Sequence, residues 1–382
     1  MLEEIRVVEI GSFITAPLAG MMLGDLGADV IKVERPEGDP FRRARGGMYG
    51  PHFVAINRNK RSVVLDLGSE PDKAELLALL DASDVLLDNL RIGALEKYGL
   101  GPAVLQARNP RLIHCSITGF GAEGPYRDRP VFDAVGQALS GISSLTIDPE
   151  SPVSSGPTMS DDVTGMYACY AILGALYERE RTGRGCRLEV SMLESSMAFI
   201  RGAYVSFMQS GIVGGRFTRV ATSQSYILRC SDGKLLAVHM STPEAFWKSL
   251  VIKVLEAPDL AADPRFARHP DRVKNYSLLR EIMGQRFLAQ SRQEWMSRLE
   301  RADVPFAPVY SVDEALDDPQ VKASGIVCEM THPTEGTVRS LHCPVRVNGK
   351  RPRDDLRAPP TLGEQSAEIK AWIKNMVEEK QK

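Results

Sequence analysis

The sequence contains few cysteines, and their spacing excludes several kinds of protein. Six occur in 382 residues, and no two of them stand as CxxC. A zinc ribbon, a redox dithiol and a disulfide-rich scaffold are therefore excluded. The six histidines form neither an HExxH nor an HxH pair, so the sequence predicts no metal site.

Strong charge of one sign and long hydrophobic runs are also missing. The chain has 47 basic and 49 acidic residues, a net charge of −2, which gives no indication of nucleic-acid binding. Its best apolar run, residues 166–177, is too short to cross a bilayer. The first ten residues are charged and already strand-like, unlike a secretory signal. We therefore expect a cytoplasmic protein without a membrane segment.

The first third of the chain alternates short β-branched runs with amphipathic stretches. Hydrophobic residues make up 43% of the sequence and charged residues 25%, as in ordinary globular proteins of two or three domains. Strands separated by helices predict an α/β fold with a parallel sheet, whose ligands bind beyond the carboxyl ends of its strands. The predicted strands are 5–10, 28–33, 62–67, 84–88 and 112–117, and the predicted helices are 17–27 and 72–81.

The pattern changes further along the chain. Long helices are predicted at about 131–145 and 161–179, followed by a strand at 187–191. From about residue 215, two short strands flank Asp232-Gly233, the usual hairpin signal, and helical stretches continue to about residue 302. The tail is rich in proline and is expected to wrap around another surface. We predict a large domain over 1–200, a small domain over 220–305 and a C-terminal part over 306–382.

Basic residues are concentrated in the first hundred positions, several of them after predicted strands. Their place favours a ligand with several phosphates, because guanidinium groups bind phosphate oxygens bidentately. For each of these residues taken alone, the alternative is that it lies on a solvent-exposed charged surface and binds no ligand. No GxGxxG follows the first strand, which argues against a nucleotide-dependent oxidoreductase. These basic residues are Arg35, Arg42, Arg43, Arg45, Arg58, Lys60, Arg61, Arg91 and Lys97.

Two adjacent acids, Asp161 and Asp162, begin a strongly apolar helix. In a structural interpretation, Ser160 or Asp161 caps the helix and Asp162 lies in its first turn, where the helix dipole favours negative charge. In a functional interpretation, one carboxylate is a nucleophile that backbone N–H groups at the helix start keep ionised and aimed. The residues alone leave both interpretations open.

Separated motifs give the chain a resemblance to the family III CoA-transferases over nearly its whole length. Among them are LGDLGADVIKVE at 23–34, NKRS at 59–62, SITGFG at 116–121 and ERTGRG at 180–185, in the order and spacing of that family. The family includes formyl-CoA transferase, carnitine and bile-acid CoA-transferases and the related α-methylacyl-CoA racemases. The resemblance implies a Rossmann-like large domain, built from both ends of the chain, with a smaller inserted α+β domain. It also implies an interlocked homodimer.

The same resemblance implies roles for individual residues. The family's nucleophilic aspartate lies four residues before a helix glycine, which matches Asp161 and Gly165. Asp133 matches an acidic position near the active site, and Gln224 is a candidate for substrate contact. No metal and no cofactor beyond CoA itself are implied. The matching CoA contacts are Arg35, Lys60, Arg61, Asn89, Arg91 and Lys97, with Lys60 and Arg61 near the adenine or 3′-phosphate end.

The activity implied is the transfer of CoA from a small acyl-CoA to a carboxylic acid through covalent intermediates on Asp161. The first alternative is a racemase acting on a 2-methylacyl-CoA. It is disfavoured because that subgroup has a histidine where this chain has Phe132. The loop 219–224 lacks the glycines of formyl-CoA transferase, so formyl and oxalyl specificity does not fit either. A non-catalytic CoA-binding protein that kept the fold is the second alternative.

Overall fold

The computed structural model describes residues 1–154 and 156–381. Its strands are β1 (Arg6–Ile10), β2 (Asp29–Glu34), β3 (Lys60–Val64), β4 (Val85–Asp88), β5 (Ile113–Thr118), β6 (Arg187–Ser191), β7 (Ser225–Arg229), β8 (Leu235–His239), β9 (Phe306–Pro308), β10 (Val327–His332) and β11 (Gly336–Leu341). Its α-helices are α1 (Thr15–Asp25), α2 (Pro51–Ile56), α3 (Glu70–Leu80), α4 (Ala94–Lys97), α5 (Pro102–Arg108), α6 (Asp133–Leu139), α7 (Ile142–Thr146), α8 (Met159–Thr182), α9 (Met192–Phe199), α10 (Arg201–Ser210), α11 (Thr218–Thr222), α12 (Glu244–Lys248), α13 (Pro258–Ala262), α14 (His269–Lys274), α15 (Tyr276–Phe287), α16 (Arg292–Arg301), α17 (Val312–Asp317), α18 (Pro319–Ser324) and α19 (Ser366–Gln381). A 3₁₀ helix spans Pro40–Gly46 and a π-helix spans Ser249–Val254.

The first six strands form one parallel sheet in the order β3-β2-β1-β4-β5-β6. β1 is central: Val8 pairs with Ile31 of β2 on one side and with Leu86 of β4 on the other. The strand order reverses between β1 and β4. In doubly wound folds the ligand crevice lies at this reversal, outside the carboxyl ends of the strands. The α/β fold with a parallel sheet predicted from the sequence is confirmed.

The sheet is buried on both faces, because its strands are runs of branched apolar side chains. Alternate residues of a strand point to opposite faces, so Val7 packs with α1 and α8 while Val8 packs with α3, α5 and α19. Both valines are fully buried. Each such side chain contributes about 1.5–3 kcal/mol when it leaves water, which makes these two layers the main source of stability around the sheet.

The chain divides into two compact units. The first unit comprises Met1–Ser143, Ser154–Arg201 and Gly325–Lys382, and contains the six-stranded sheet and the β10–β11 hairpin. The second comprises Ser144–Val153 and Gly202–Ser324. Its antiparallel sheet has the order β7-β8-β9 and packs on helices through large side chains such as Trp247, Phe287 and Trp295.

Several elements differ from the sequence-based prediction. The single helix predicted at 131–145 is wrong: it is broken into α6 and α7 at Gly141, whose φ of 82° ends the first helix. The tail contains a regular hairpin, β10–β11, in which the exposed and buried side chains of Val327–His332 alternate. The predicted parallel strands and the β7–β8 hairpin are confirmed to within a few residues.

No helix in residues 1–154 and 156–381 combines the length and the apolar character needed to cross a bilayer.

Candidate active site

The first turn of α8 lies at the carboxyl edge of the sheet. α1 leads into β2 and α8 leads into β6, so both helices run antiparallel to the strands and begin at that edge. A Cβ at Gly165 would lie 2.9 Å from the carbonyl oxygen of Thr15, so only glycine lets α8 approach α1 here. Asp161 lies one turn before Gly165, on the same face of α8 and about 6 Å closer to the start of the helix.

The side chain of Asp133, the first residue of α6, caps α8 from another helix. Its Oδ1 accepts the backbone N–H of Ser160 at 2.8 Å and that of Asp161 at 3.2 Å. Its Oδ2 accepts Nε2 of Gln137 at 2.6 Å, and the same amide donates to the carbonyl oxygen of Pro157. Asp133 is therefore held between its own helix and the start of α8.

The carboxylate of Asp161 is in an unfavourable place for a negative charge. Its oxygens form no hydrogen bond or ion pair with the residues that the structure describes. Burial raises the pKa of Asp161 from 3.8 to about 7, and the charges of Asp133 and Asp162 act in the same direction. The expectation that helix N–H groups keep Asp161 ionised is wrong, because those of Ser160 and Asp161 bind Asp133 instead.

Asp162 has a different role from its neighbour. Its Oδ2 accepts the hydroxyl of Thr158 at 2.9 Å, and Thr158, rather than Ser160 or Asp161, is the N-cap residue of α8. Burial raises the pKa of Asp162, while the hydrogen bond from Thr158 opposes this rise. Asp162 therefore has a structural partner, and Asp161 is the carboxylate left without one.

Aromatic rings adjoin this acidic corner. The ring of Phe132, next to Asp133, meets Phe13 edge to face at a centroid distance of 5.6 Å. Phe13 meets Phe41 in the same way at 5.3 Å, and Phe41 contacts His52. Phe13 has a φ of 62°, a strained value for a bulky residue, and such strain is concentrated at functional sites. These rings supply apolar surface at the end of β1.

Asn89 ties the ends of β1 and β4 together. Its Oδ1 accepts the N–H of Ser12, and its Nδ2 donates to the carbonyl oxygen of Ser12 and to Oγ1 of Thr15. A Cβ at Gly11 would lie 3.1 Å from Oδ1 of Asn89. Asn89 is thus at the predicted edge, and its amide fixes the loop that leads into α1.

Three of the predicted CoA contacts are free cations. Arg35 follows β2, Arg91 follows β4 and Lys97 ends α4; all three are exposed. Their side chains form no hydrogen bond or ion pair within the described part of the chain. Arg91 also lines a small, solvent-open cleft beside β4 and β5, and Arg187 lines the same cleft. These groups are available to an anionic ligand.

Two other predicted CoA contacts, Lys60 and Arg61, instead bind groups of the protein itself. Lys60 is fully buried, with Nζ 2.7 Å from Oε2 of Glu9, and also donates to Pro17 and Asn57. Arg61 binds Asp29 with two nitrogens and Glu368 with the third. The assignment of Lys60 to CoA binding is corrected, because its ammonium has no surface for a ligand. Arg61 likewise has no free guanidinium edge.

Gln224 lies in the second unit and faces its interior. Its side chain is 1% exposed. Its Nε2 donates to the carbonyl oxygen of Ala221 at 2.6 Å, and its Oε1 accepts the hydroxyl of Tyr226 at 2.9 Å. Because both ends of the amide are occupied, the expectation that Gln224 contacts substrate is corrected to a structural role.

Sequence reasoning missed Gln137 and Thr158, which hold the two acids beside Asp161. The available signals are spacings of four: Asp133 to Gln137 and Thr158 to Asp162 each place two side chains on one helix face. The cap from Asp133 to α8 has no such signal, since it joins different helices.

The described residues contain no group of three metal-binding side chains of the His, Cys, Asp or Glu type. The arrangement instead offers one unpaired carboxylate on the edge where parallel sheets bind ligands, with exposed cations after neighbouring strands. A carboxylate in that state can act as a nucleophile toward an activated carbonyl, while the cations bind a phosphate-bearing handle.

The chain is similar to known proteins over nearly its whole length. A family model described as CoA-transferase family III matches residues 2–366. The chain is 31% identical to succinate–glutarate CoA-transferase of Agrobacterium fabrum, over 98% of this chain and 96% of that protein. It is also 31% identical to acetyl-CoA:oxalate CoA-transferase of Acetobacter aceti, over 96% and 94%. A CAIB/BAIF family protein from Brucella suis has a similar structure, with a TM-score of 0.85, 33% identity and coverage of 97% and 98%.

Proposed function

Because this chain belongs to CoA-transferase family III and transfers CoA from an acyl-CoA to a carboxylic acid, we propose that Asp161 carries the acyl group during the transfer. The observation behind the proposal is the state of its carboxylate. It is half-buried, lacks a partner among the described side chains, and lies beside two further acids. A carboxylate that is poorly solvated and unpaired is more reactive toward a thioester than one held by hydrogen bonds.

The proposed reaction conserves the energy of the thioester. The Asp161 carboxylate attacks the thioester carbonyl, the C–O bond forms as the C–S bond breaks, and CoA leaves as thiolate. The thiolate attacks the aspartyl carbonyl of this anhydride, which releases the donor acid and leaves an aspartyl-CoA thioester. The acceptor carboxylate then displaces the thiolate. In the new anhydride the thiolate attacks the acceptor carbonyl, which gives the product acyl-CoA and returns Asp161 as carboxylate.

The free cations support a location for CoA. We propose that Arg35, Arg91 and Lys97 contact its phosphates, since each is exposed and unpaired within the described residues. Asn89 would shape the crevice rather than bind phosphate, because its amide already holds Ser12 and Thr15. We propose that no cofactor other than CoA takes part.

The relatives guide the choice of substrates. Their names specify glutarate and oxalate as acids, and acetyl-CoA for one of them. We propose short-chain acyl donors and small carboxylic acids, including dicarboxylic acids, for this chain. Phe132 disfavours the racemase alternative, because a phenyl ring cannot transfer a proton.

Covalent trapping tests the role of Asp161. The enzyme is incubated with acetyl- or succinyl-CoA and an acid, quenched with hydroxylamine during turnover, and its peptides are analysed by mass spectrometry. We expect a hydroxamate at residue 161 in the wild type and in Asp162→Asn, the matched control. Asp161→Asn should lose turnover while it binds CoA within a few-fold of the wild type. Product accumulation with residue 161 unmodified would refute the proposal.

We also propose a homodimer. Met166, Tyr170 and Tyr177 form a stripe on the outer face of α8 and are 55%, 73% and 71% exposed. α10, which belongs to the second unit from Gly202 onward, has no buried residue. Extended apolar surface of this kind marks a protein interface, and a second copy of the chain is the proposed partner. A cytoplasmic location is proposed as well, in line with six free thiols.

A further inference from the structure

We propose that Asp133 is a positioning residue for the reaction at Asp161, which fixes the first turn of α8 and favours the acylated over the ionised state of Asp161. The inference rests on the proposed role of Asp161 as acyl carrier, and adds a second residue whose charge acts through the first. Asp133 does not have to touch the substrate for this effect.

The geometry shows why Asp133 controls the position of Asp161. One carboxylate oxygen accepts two consecutive backbone N–H groups, those of Ser160 and Asp161, so it holds the peptide that carries the reacting side chain. Gln137 fixes the other oxygen and also binds Pro157, just before α8. All of these contacts converge on one turn of backbone.

Helices α6 and α8 are also closely packed at this turn. A Cβ at Gly136 would lie 2.8 Å from the sulfur of Met192 and 3.1 Å from Cβ of Ser160. Ser160 is fully buried, and its hydroxyl lies 2.8 Å from Oγ of Ser196 on α9. The start of α8 is therefore clamped between α6 and α9, and the orientation of Asp161 follows from it.

The electrostatic effect follows from the same contact. The charges that act on the Asp161 carboxylate are those of Asp133 on α6 and Asp162 on its own helix. The turn of α1 that faces Gly165, Thr15–Leu18, carries no titratable side chain. The other titratable groups on elements packed against α8 are Asp25 on α1, His114 and Cys115 on β5, Arg187 and Glu189 on β6, and Glu194 on α9.

Acylation removes the repulsion. When the Asp161 oxygen bonds to the acyl carbon, the anhydride is neutral and the negative charge leaves with the CoA sulfur. The charge of Asp133 thus destabilises the reactant carboxylate but not the covalent intermediate. Like charges in a poorly solvated site have this effect on one another, and it disappears when one of them is neutralised.

Two variants separate charge from position. Asp133→Asn removes the charge and keeps an Oδ1 that can accept both N–H groups. The Gln137 amide must then turn its oxygen toward the new Nδ2 and lose its hydrogen bond to Pro157, a loss that Gln137→Met shares. Gln137→Met leaves the charge and removes one anchor of Asp133. The measured quantity is the single-turnover rate at which acetyl-CoA acylates residue 161, trapped with hydroxylamine, between pH 5 and pH 9.

The two variants have different expected signatures. In Asp133→Asn, the acid limb of the pH–rate profile, where the acylation rate rises as Asp161 ionises, should move down by about one pH unit. The plateau of the acylation rate at high pH should fall several-fold, because Asp161 becomes a more stable anion. In Gln137→Met the limb should stay in place while the rate falls several-fold. Asp162→Asn should shift the limb less than Asp133→Asn. Ser291→Ala, which removes a helix cap in the second unit, should change stability alone.

A purely structural cap predicts another result. If Asp133→Asn keeps both the limb and the plateau of the wild type, or Gln137→Met acylates at the wild-type rate, the positioning role is refuted. Should Asp133→Asn fail to fold, Gln137→Met still decides the question. Absence of any acyl group at residue 161 in the wild type would instead overturn the proposed function, so the two failures are distinguishable.

Discussion

The ammonium of Lys60 lies 2.7 Å from the carboxylate of Glu9, and both side chains are completely buried. Lys32 binds the other oxygen of Glu9 at 2.9 Å and Asp39 at 3.1 Å. Two lysines and two acids therefore form a closed network under β1, β2 and β3. Lys60 belongs to this buried network, and its side chain has no exposed surface for a ligand.

Lys60→Met should therefore destabilise the protein without a specific effect on CoA. Without the Lys60 ammonium, Glu9 and Asp39 share only the charge of Lys32, and the unbalanced buried negative charge costs about 3–5 kcal/mol. Urea unfolding measures this loss, and calorimetry measures the CoA dissociation constant of the folded variant. A large rise in that constant with unchanged stability would return Lys60 to the ligand site.

Arg91→Ala should weaken CoA binding. A charge-assisted hydrogen bond to phosphate contributes about 1.5–3 kcal/mol, so the dissociation constant should rise about 10- to 150-fold. Arg108→Ala is the matched control, since Arg108 is an exposed arginine of the same unit that pairs with Asp81. Equal affinities for Arg91→Ala, Arg108→Ala and the wild type would make Arg91 an ordinary surface residue.

Asp161→Asn should stabilise the protein at high pH more than at low pH. The pKa of Asp161 is 3.8 ordinarily and about 7 in the folded state, so between these values the unfolded chain ionises first and the folded state loses stability as pH rises. Above pH 7 the loss is complete.

Thermal melts at pH 4.5 and pH 8 measure this difference. The melting temperature of Asp161→Asn relative to the wild type should be roughly 2 °C or more higher at pH 8 than at pH 4.5. Asp128→Asn is the control, because that side chain is 81% exposed. A difference that does not grow with pH would contradict the raised pKa of Asp161.

Tyr170→Asp should break the proposed dimer. The substitution places a charge in the middle of the apolar stripe of α8, and desolvation of that charge in an interface is costly. Light scattering after size exclusion should give the mass of one chain, against two for the wild type. Tyr98→Asp alters an exposed tyrosine outside the stripe and should leave the dimer intact. A monomeric wild type would refute the proposal.

The enzyme should not exchange the α-proton of a 2-methylacyl-CoA. Racemisation needs two proton-transfer groups on opposite sides of the carbon, and Phe132 cannot serve as one. Mass spectrometry of the thioester after incubation in deuterated water, with no acceptor acid, measures exchange. Uptake of one deuterium per molecule at a rate above the uncatalysed reaction would favour the racemase instead.

The sheet could be predicted from the sequence because local signals determine it. Val7 and Val8 in β1, and Val30 and Ile31 in β2, are branched apolar pairs whose place between breakers requires burial on both faces. The break at Gly141 and the tail hairpin were harder to predict from the sequence. A single glycine in a helical pattern is compatible with continuation, and short alternating strands among prolines give a weak signal.

The sequence could predict those parts of the site that one residue and its neighbours in the chain determine. Asp161 matches a motif, whereas its electrostatics depend on Asp133, 28 positions earlier. Sequence alone suggested helix N–H groups as its stabilising partners, and the fold gives those groups to Asp133. Lys60 and Arg91 are both cations near strand ends. Only the three-dimensional packing distinguishes the lysine inside the scaffold from the arginine at the surface.

The last helix has a consequence for biosynthesis. Ser62 in β3 donates its N–H to Gln365, 303 positions later, and Ile369 and Ile373 of α19 complete the layer over α3. At 5–20 residues per second, a ribosome needs roughly 15 to 60 s to synthesise the chain from β3 to α19. Throughout that time the apolar side chains on one face of the nascent sheet stay exposed to water, which makes the growing polypeptide a natural client for chaperones.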